Sequence, residues 1–463
     1  MRIYITYIFL LLTILVSAQS LTIQECRDMA IENNRNIQMS ELKRLMAEKT
    51  LSAYKTNYLP KFSVKGSYIY SNSKPELFID GGYLPTFIPN PQTGALEPNI
   101  IGTAPDGSPI FGSYALMPEM NFKMEIGSVY SAGAYVEQPL YMGGKINSSV
   151  KMAEQGVRIA LLEYEKDEKI VIEKTDDAFW TLIKVEELLK SAAKYKEVVT
   201  EFYRQMNNAF EIGMKTGNDL QKVRVRVNEA ELKYRQAQNG VKLARMNLCY
   251  YVGLPLNNET VNVTESENEF NNIDISELDS DITKRPEYEM LLSQIEYKKQ
   301  NVKFVRSDFM PQLTAMASYS YAHGVKLIDS HLLNNASFFG GINLNIPIFN
   351  WGEGGKKVSA AKYELQIAQK QLEEVSDLMQ LELLKSSNEF DEATLEVALT
   401  ATALEQSEIN LKMSRDQYDV GLETIADYLE AQAIWQNAMS DHINAKARQR
   451  IAYTVYLKAA GLL

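Results

Sequence analysis

The chain has 463 residues, 45% of them hydrophobic, a formal net charge of −11, two cysteines and three histidines. The acidic balance argues against nucleic acid or an anionic lipid surface as the main partner. No cysteine–histidine ligand spacing, zincin motif or nucleophile elbow occurs, so no metal, no cofactor and no enzymatic activity are expected.

The first element is an export signal. Arg2, an apolar run from Ile3 to Val16 broken only by Thr6 and Thr13, and the small-residue end Val16-Ser17-Ala18 read as a signal peptide over residues 1–18. Beyond it, no apolar stretch approaches the roughly 20 residues of a membrane-spanning helix, so membrane insertion must use strands. Cys26 and Cys249 enter an oxidising compartment and leave two readings open, one disulfide or two buried thiols.

The first repeat, residues 19–254, opens with a helical segment that ends at Tyr58-Leu59-Pro60. A β-hairpin over 61–139 follows. Phe62, Val64, Tyr68 and Tyr70 alternate with Ser63, Lys65 and Ser67, and in the returning strand Tyr130, Ala132, Ala134 and Val136 alternate with Ser131, Gly133 and Glu137. Residues 71–128 hold eight of the 14 prolines and show no helical or strand period. They read as a long extracellular loop, either a cap or a disordered segment. A helical hairpin spans 144–252. From Leu220 through Val223, Val227, Ala230, Tyr234, Ala237, Val241, Ala244 and Leu248 to Tyr251 the spacing is an unbroken 3-4-3-4, the mark of a coiled-coil seam.

An acidic linker occupies 255–283, with Glu265, Glu267, Glu269, Asp274, Glu277, Asp279 and Asp281 reading as a solvated connector. The second repeat, 284–463, restates the first: a helix to Phe309-Met310-Pro311, a β-hairpin over 312–349 and a helical hairpin over 352–460. Pro139 and Pro347 lie 208 residues apart, and so do Gly213 and Gly421, and Asp219 and Asp427. A duplication of fixed internal length points to a rigid element. At about 1.5 Å per residue, helices of some 65 to 70 residues reach roughly 100 Å. They turn at Gly213-Met214-Lys215-Thr216-Gly217-Asn218 and Gly421-Leu422-Glu423-Thr424, where glycine ends one helix and Asn218 or Thr424 can cap the next.

Two motifs have plain readings. Gly143-Gly144-Lys145 and Gly352-Glu353-Gly354-Gly355-Lys356 are like a phosphate loop, but Ile146 or Lys357 stands where Ser or Thr is needed, so strand-to-helix turns are expected. His442, at a seam position among alanines, is expected to pack or hydrogen-bond between helices. Four strands per chain cannot close a barrel, so oligomerisation is required; two copies would give eight strands and three would give twelve.

Leu21-Thr22-Ile23, Ala30-Ile31-Glu32-Asn33-Asn34, Tyr58-Leu59-Pro60, the Gln-Pro-Leu and Ile-Pro-Ile strand ends, Arg285-Pro286-Glu287 and the two aromatic-x-x-Gly tips together resemble the TolC-like outer-membrane factor family (outer membrane efflux protein) over essentially the whole mature chain. The resemblance implies a mixed membrane fold in the cell outer membrane. A homotrimer would form a 12-stranded β-barrel continued by a periplasmic α-helical tunnel of long antiparallel coiled-coil helices. It further implies an exit duct for a tripartite efflux pump or type I secretion system, docked to a periplasmic adaptor (membrane fusion protein) and an inner-membrane transporter and embedded in outer-membrane lipid. Carried over by position, the gate would comprise Tyr418, Asp427, Glu430 and Asp219. Glu423 stands where the family's best-known member has an arginine, which removes a salt bridge expected there. The adaptor-binding tips would be Gly213, Lys215, Gly421 and Leu422. Asp219 and Asp427 also have a purely structural reading as first-turn carboxylates favoured by the helix dipole. The alternative for the whole chain is a structural periplasmic coiled-coil scaffold without transport activity.

Overall fold

The computed structural model describes residues 20–258, 261–264, 275, 278–324, 326–327, 330–331 and 334–463. Residues 1–18, which read as a signal peptide, and the linker acids Glu265, Glu267, Glu269, Asp274 and Glu277 lie outside the described residues. The chain divides into a β unit (residues 55–146 and 306–354) and a helical unit (the remainder), so each unit draws on both repeats.

In the β unit, β1 (Lys61–Tyr70) leads into a run of short strands, β2 (Glu76–Ile79), β3 (Gly82–Pro85), β4 (Phe87–Pro89), β5 (Leu96–Pro98), β6 (Ile100–Thr103), β7 (Pro109–Phe111), β8 (Tyr114–Met117) and β9 (Met120–Glu125). Then come β10 (Ser128–Met142), β11 (Gln312–His323), β12 (Lys326–Leu327), β13 (Ser330–His331) and β14 (Asn334–Asn345). The long strands form one antiparallel sheet in the order β1-β10-β11-β14. Its register aligns Val64, Ala134, Tyr319 and Phe338 in one row and Gly66, Ala132, Tyr321 and Ala336 in another. On the opposite face Lys65, Gly133, Ser320 and Ser337 line up, followed by Ser67, Ser131, Ala322 and Asn335. The pleat therefore sorts all four strands into an apolar face and a small or polar face. The register shifts between Pro139 and Tyr141, where proline cannot donate to the ladder.

Residues 71–128 do not form the periodless loop expected from sequence. They build a nested ribbon in which β2 pairs with β9 and β3 with β8, then branch into the hairpins β4–β5 and β6–β7. Strands of three to six residues are too short to show an alternation in sequence. The prolines are accommodated at strand ends, as Pro85, Pro89, Pro98 and Pro109 show.

Both strand-to-helix turns use left-handed backbone. Gly143 and Gly144 (φ +61° and +88°) correspond by the 208-residue offset to Trp351 and Gly352 (φ +51° and +76°), so the turn is kept even where a tryptophan must adopt it. Lys145 pairs with Asp308 at 2.7 Å, a structural tie at the turn that sequence alone likened to a phosphate loop.

The helical unit contains α1 (Ile23–Asn33), α2 (Arg35–Lys55), α3 (Lys145–Glu211), α4 (Gly217–Val252), α5 (Pro286–Ser307), α6 (Glu353–Asp419) and α7 (Ile425–Ala459). α3 and α6 have 67 residues each, about 100 Å of helix. Of the seam on α4, Leu220, Val223, Ala230, Val241, Ala244 and Leu248 are buried, as the heptad spacing requires. On α7, His442 shares a hydrogen bond with Thr400 of α6 (3.2 Å), the interhelix role expected of it.

The largest core joins α1, α3 and α4 through Ile23, Cys26, Phe179, Trp180, Leu182, Leu248 and Val252. Cys26 and Cys249 are free thiols here, both fully buried; burial pushes the Cys26 thiol up to about 12. Beside this core, the fully buried Asp176 accepts two hydrogen bonds from Arg27 (2.8 and 2.5 Å) and one from Thr454 (2.7 Å). A buried carboxylate survives when it is paired and its lone pairs are used.

Candidate functional site: the two helical tips and the acidic start of α7

At the first tip α3 ends at Glu211 and Gly213 takes φ +79°. Gly213 N donates to Phe210 O (2.9 Å) and Met214 N to Ala209 O (2.8 Å), which satisfies the last helical carbonyls. At the second tip Gly421 takes φ +77°, with Gly421 N donating to Tyr418 O (3.0 Å) and Leu422 N to Gln417 O (2.8 Å). The two turns are the same motif.

The helices that follow begin alike. Thr424 caps α7: its hydroxyl accepts from Asp427 N (3.3 Å) and donates to Asp427 Oδ2 (2.6 Å), while Thr424 N donates to the same carboxylate (3.1 Å). Those donors hold the Asp427 carboxyl below the usual carboxylate range, the Thr424 hydroxyl first and its backbone N–H second. The first helix is capped by Thr216, not Asn218: Asp219 N donates to the Thr216 hydroxyl (3.2 Å), which donates to Asp219 Oδ2 (2.8 Å). Gly217 is already helical, so Asn218 lies inside α4. Asp219 also approaches Lys222 at 3.8 Å.

Tyr418 belongs to an aromatic cluster. It stacks on Tyr428 of α7 (centroids 5.5 Å, planes 14° apart) and meets Phe202 of α3 edge-on (5.6 Å), and Phe202 also meets Tyr428 (5.0 Å). Lys215 from the first tip sets its ammonium 4.8 Å above the Tyr418 ring. Glu423, at the position that corresponds to Lys215, accepts a hydrogen bond from Ser414. Sequence pattern alone does not mark Phe202 or Ser414 as site residues, although Phe202 completes the 3-4 spacing between Val199 and Met206.

Asp427 and Glu430 stand exposed on one stripe of α7, with Ile434, Asn437 and Asp441 continuing it at three- and four-residue steps. The tips expose apolar side chains, Ile212, Met214, Val420 and Leu422 being more than 70% accessible. Gly213, Lys215 and Gly421 are exposed between them.

A sequence profile of the family described as "Outer membrane efflux protein" matches residues 26–254 and 284–461, one segment for each repeat. The chain belongs to the outer membrane efflux protein family. Among its relatives, outer membrane protein TolC of Escherichia coli (strain K12) is 21% identical over 341 residues, which is 68% of this chain and 66% of the relative. TolC of Salmonella enteritidis matches over 68% of this chain and 66% of its own length, also at 21% identity. The chain thus spans just under two thirds of these relatives. The fold is that of solved outer-membrane channels. CmeC of Campylobacter jejuni superposes with TM-score 0.72 at 19% identity, over 95% of this chain and 85% of that one. VceC of Vibrio cholerae does so with TM-score 0.71 at 15% identity, over 95% and 96%. MtrE of Neisseria gonorrhoeae, solved in an open state, gives 0.67 at 16% identity, over 95% and 88%. This family member is accordingly an outer-membrane protein with a large periplasmic helical part.

Proposed function

We propose that this outer membrane efflux protein is the exit duct of a tripartite efflux pump or type I secretion system: a passive channel that carries no catalytic chemistry of its own. One observation carries the reading. The four-stranded sheet pairs β1 and β14 on one side only among the described residues, and its continuous apolar face is exposed, with Phe62, Val64, Phe338 and Ile342 at 69% to 83% accessibility. Unpaired edges and an apolar outer face have no stable solution in a lone chain, in water or in lipid. Three copies, joined β14 to β1, give a twelve-stranded barrel with its polar face around a wet lumen. The exposed stripe of Ile367, Leu381, Leu395, Leu399, Ile409 and Met413 on α6 favours the same assembly, because it leaves a second helical seam for a neighbouring copy.

Within that trimer, Asp427 and Glu430 form two acidic rings about 4.5 Å apart along the helix. Rings of like charge in a narrow pore favour cations. Tyr418, Asp219 and Glu423 position the helix starts around that gate. The two repeats, 19–254 and 284–463, act as equivalent halves of the duct. The exposed tips around Gly213, Lys215, Gly421 and Leu422 dock a periplasmic adaptor, and an inner-membrane transporter drives the cargo.

Native mass spectrometry and planar-bilayer recording of the detergent-purified full chain test the reading. A trimer with stepwise conductance is expected; a monodisperse monomer that stays soluble without detergent would sink it. Asp427→Ala with Glu430→Ala is expected to raise single-channel conductance or reduce cation selectivity. Unchanged values for both would remove the gate assignment.

A further inference from the structure

Two turns into α7 the seam holds an amide that nothing pairs. Gln432 is 1% exposed, and among the described residues neither its Nε2 nor its Oε1 has a hydrogen-bond partner. One turn further, Gln436 (5% exposed) donates from Nε2 to Ser191 Oγ of α3 at 3.2 Å and leaves its Oε1 unpaired. One turn back, Tyr428 meets Phe202 of α3. Residues 428, 432 and 436 therefore form a single stripe that faces α3. Between Phe202 and Ser191 the buried residues of α3 are Val199, Tyr195 and Ala192, and Val199 and Tyr195 cluster with Trp435 and Ala230. Between its ends, the α3 face opposite Gln432 is thus without a buried polar side chain other than the Tyr195 hydroxyl. A buried amide without a partner forfeits its hydration, a penalty larger than the net worth of an ordinary hydrogen bond.

The duplication sharpens the point. The residues corresponding to Gln432 and Gln436 by the 208-residue offset are Arg224 and Asn228, and both are exposed. Only the second repeat buries polar groups here, in the helix that carries Asp427 and Glu430 on its exposed stripe. Because the amide is enclosed within one chain, a neighbouring copy cannot reach it. Parting α7 from α3 admits water to it.

We propose that the Gln432–Gln436 stripe sets the balance of the gate. It raises the free energy of the docked seam, and outward movement of α7 relieves that penalty by hydrating the amide. The inference rests on the duct reading above and adds to it a residue that lines neither the pore nor the tip.

The test uses the full chain, purified as its oligomer and reconstituted in planar bilayers. Gln432→Leu, which keeps the volume and removes the unpaired amide, is expected to lower the fraction of time in high-conductance states about tenfold and to raise the thermal midpoint of the helices. Gln432→Met is expected to act in the same direction, and serves if the branched side chain blocks assembly. Gln432→Glu is expected to do the opposite at neutral pH and to return toward the parent behaviour as acid protonates the buried carboxyl. Conductance distributions unchanged in Gln432→Leu and Gln432→Met overturn the inference, whether or not the midpoint rises, because stability without gating is a purely structural role. A parent chain that forms no channel overturns the duct reading itself; a channel that responds to Asp427→Ala and Glu430→Ala yet ignores residue 432 overturns this inference alone.

Discussion

The two helical tips share a glycine in left-handed conformation, a threonine cap and an aspartate three residues after it, yet they are held in place by different means. At the first tip, backbone hydrogen bonds and the Thr216–Asp219 cap set the turn, and Met206, Leu220 and Val223 join a core shared with Ile425 and Leu429 of the second. In the second, Tyr418 and Tyr428 stack on each other and both meet edge-on Phe202, a side chain supplied by the other repeat. Lys215 and Glu423 occupy corresponding positions with opposite charge; one lies over the Tyr418 ring and the other accepts from Ser414. Local chemistry therefore fixes the turn, while packing between the repeats joins both tips in one core and gives the second its aromatic brace. That tip is the one that opens into the acidic stripe of α7.

Removing the brace should have the largest effect. Phe202→Ala is expected to cost about 3–5 kcal/mol of helical-unit stability, the range for deleting a buried aromatic ring, as read by denaturant melts followed by circular dichroism. A loss below about 0.5 kcal/mol, the range of an ordinary surface change, would mean the aromatic rings are not what distinguishes the second tip.

The glycine turns should be equivalent. Gly213→Ala and Gly421→Ala each place a Cβ at φ near +80°, and each is expected to cost about 1 kcal/mol. Open space surrounds both positions, so no clash adds to the backbone term. A clearly larger loss at Gly421 in the same melts would show that the aromatic brace and the turn are coupled.

The smallest effect concerns acid. The folded-state pKa of Asp427 is depressed below its ordinary value of 3.8, so its contribution is fully present above that value and lost as pH falls through the lower folded value. Stability of the α7 start should therefore be flat through neutral pH and decline only in strong acid. Thr424→Ala removes the main donor and should move the Asp427 titration upward, toward 3.8. Carboxyl titration by NMR on the solubilised oligomer checks this, and a titration unmoved by the substitution would contradict the cap assignment.

Much of this was legible from sequence because it is periodic or local. The 3-4 spacing on α4, the alternation in the strands of the first hairpin and the 208-residue offset each repeat a rule at every step. By sequence Asn218 offers itself as the cap of α4 because Gly217 reads as part of the turn, whereas the offset from Thr424 points to Thr216, the observed cap. The nested ribbon over 71–128 was not legible, since strands of three to six residues leave too short a pattern among so many prolines.

By itself the sequence determined the duplication, the lengths of the rods, the faces of the strands and the place of the tips, all consequences of backbone geometry acting on neighbouring residues. Only the tertiary structure decided which polar groups go inside. Asp176 is fully buried and paired with Arg27 and Thr454, while Leu384, its counterpart in the second repeat, is 64% exposed. Gln432 is enclosed while Arg224 is not. Burial depends on which distant helix covers a given face, and two copies of one pattern lose their equivalence once each is packed against a different neighbour.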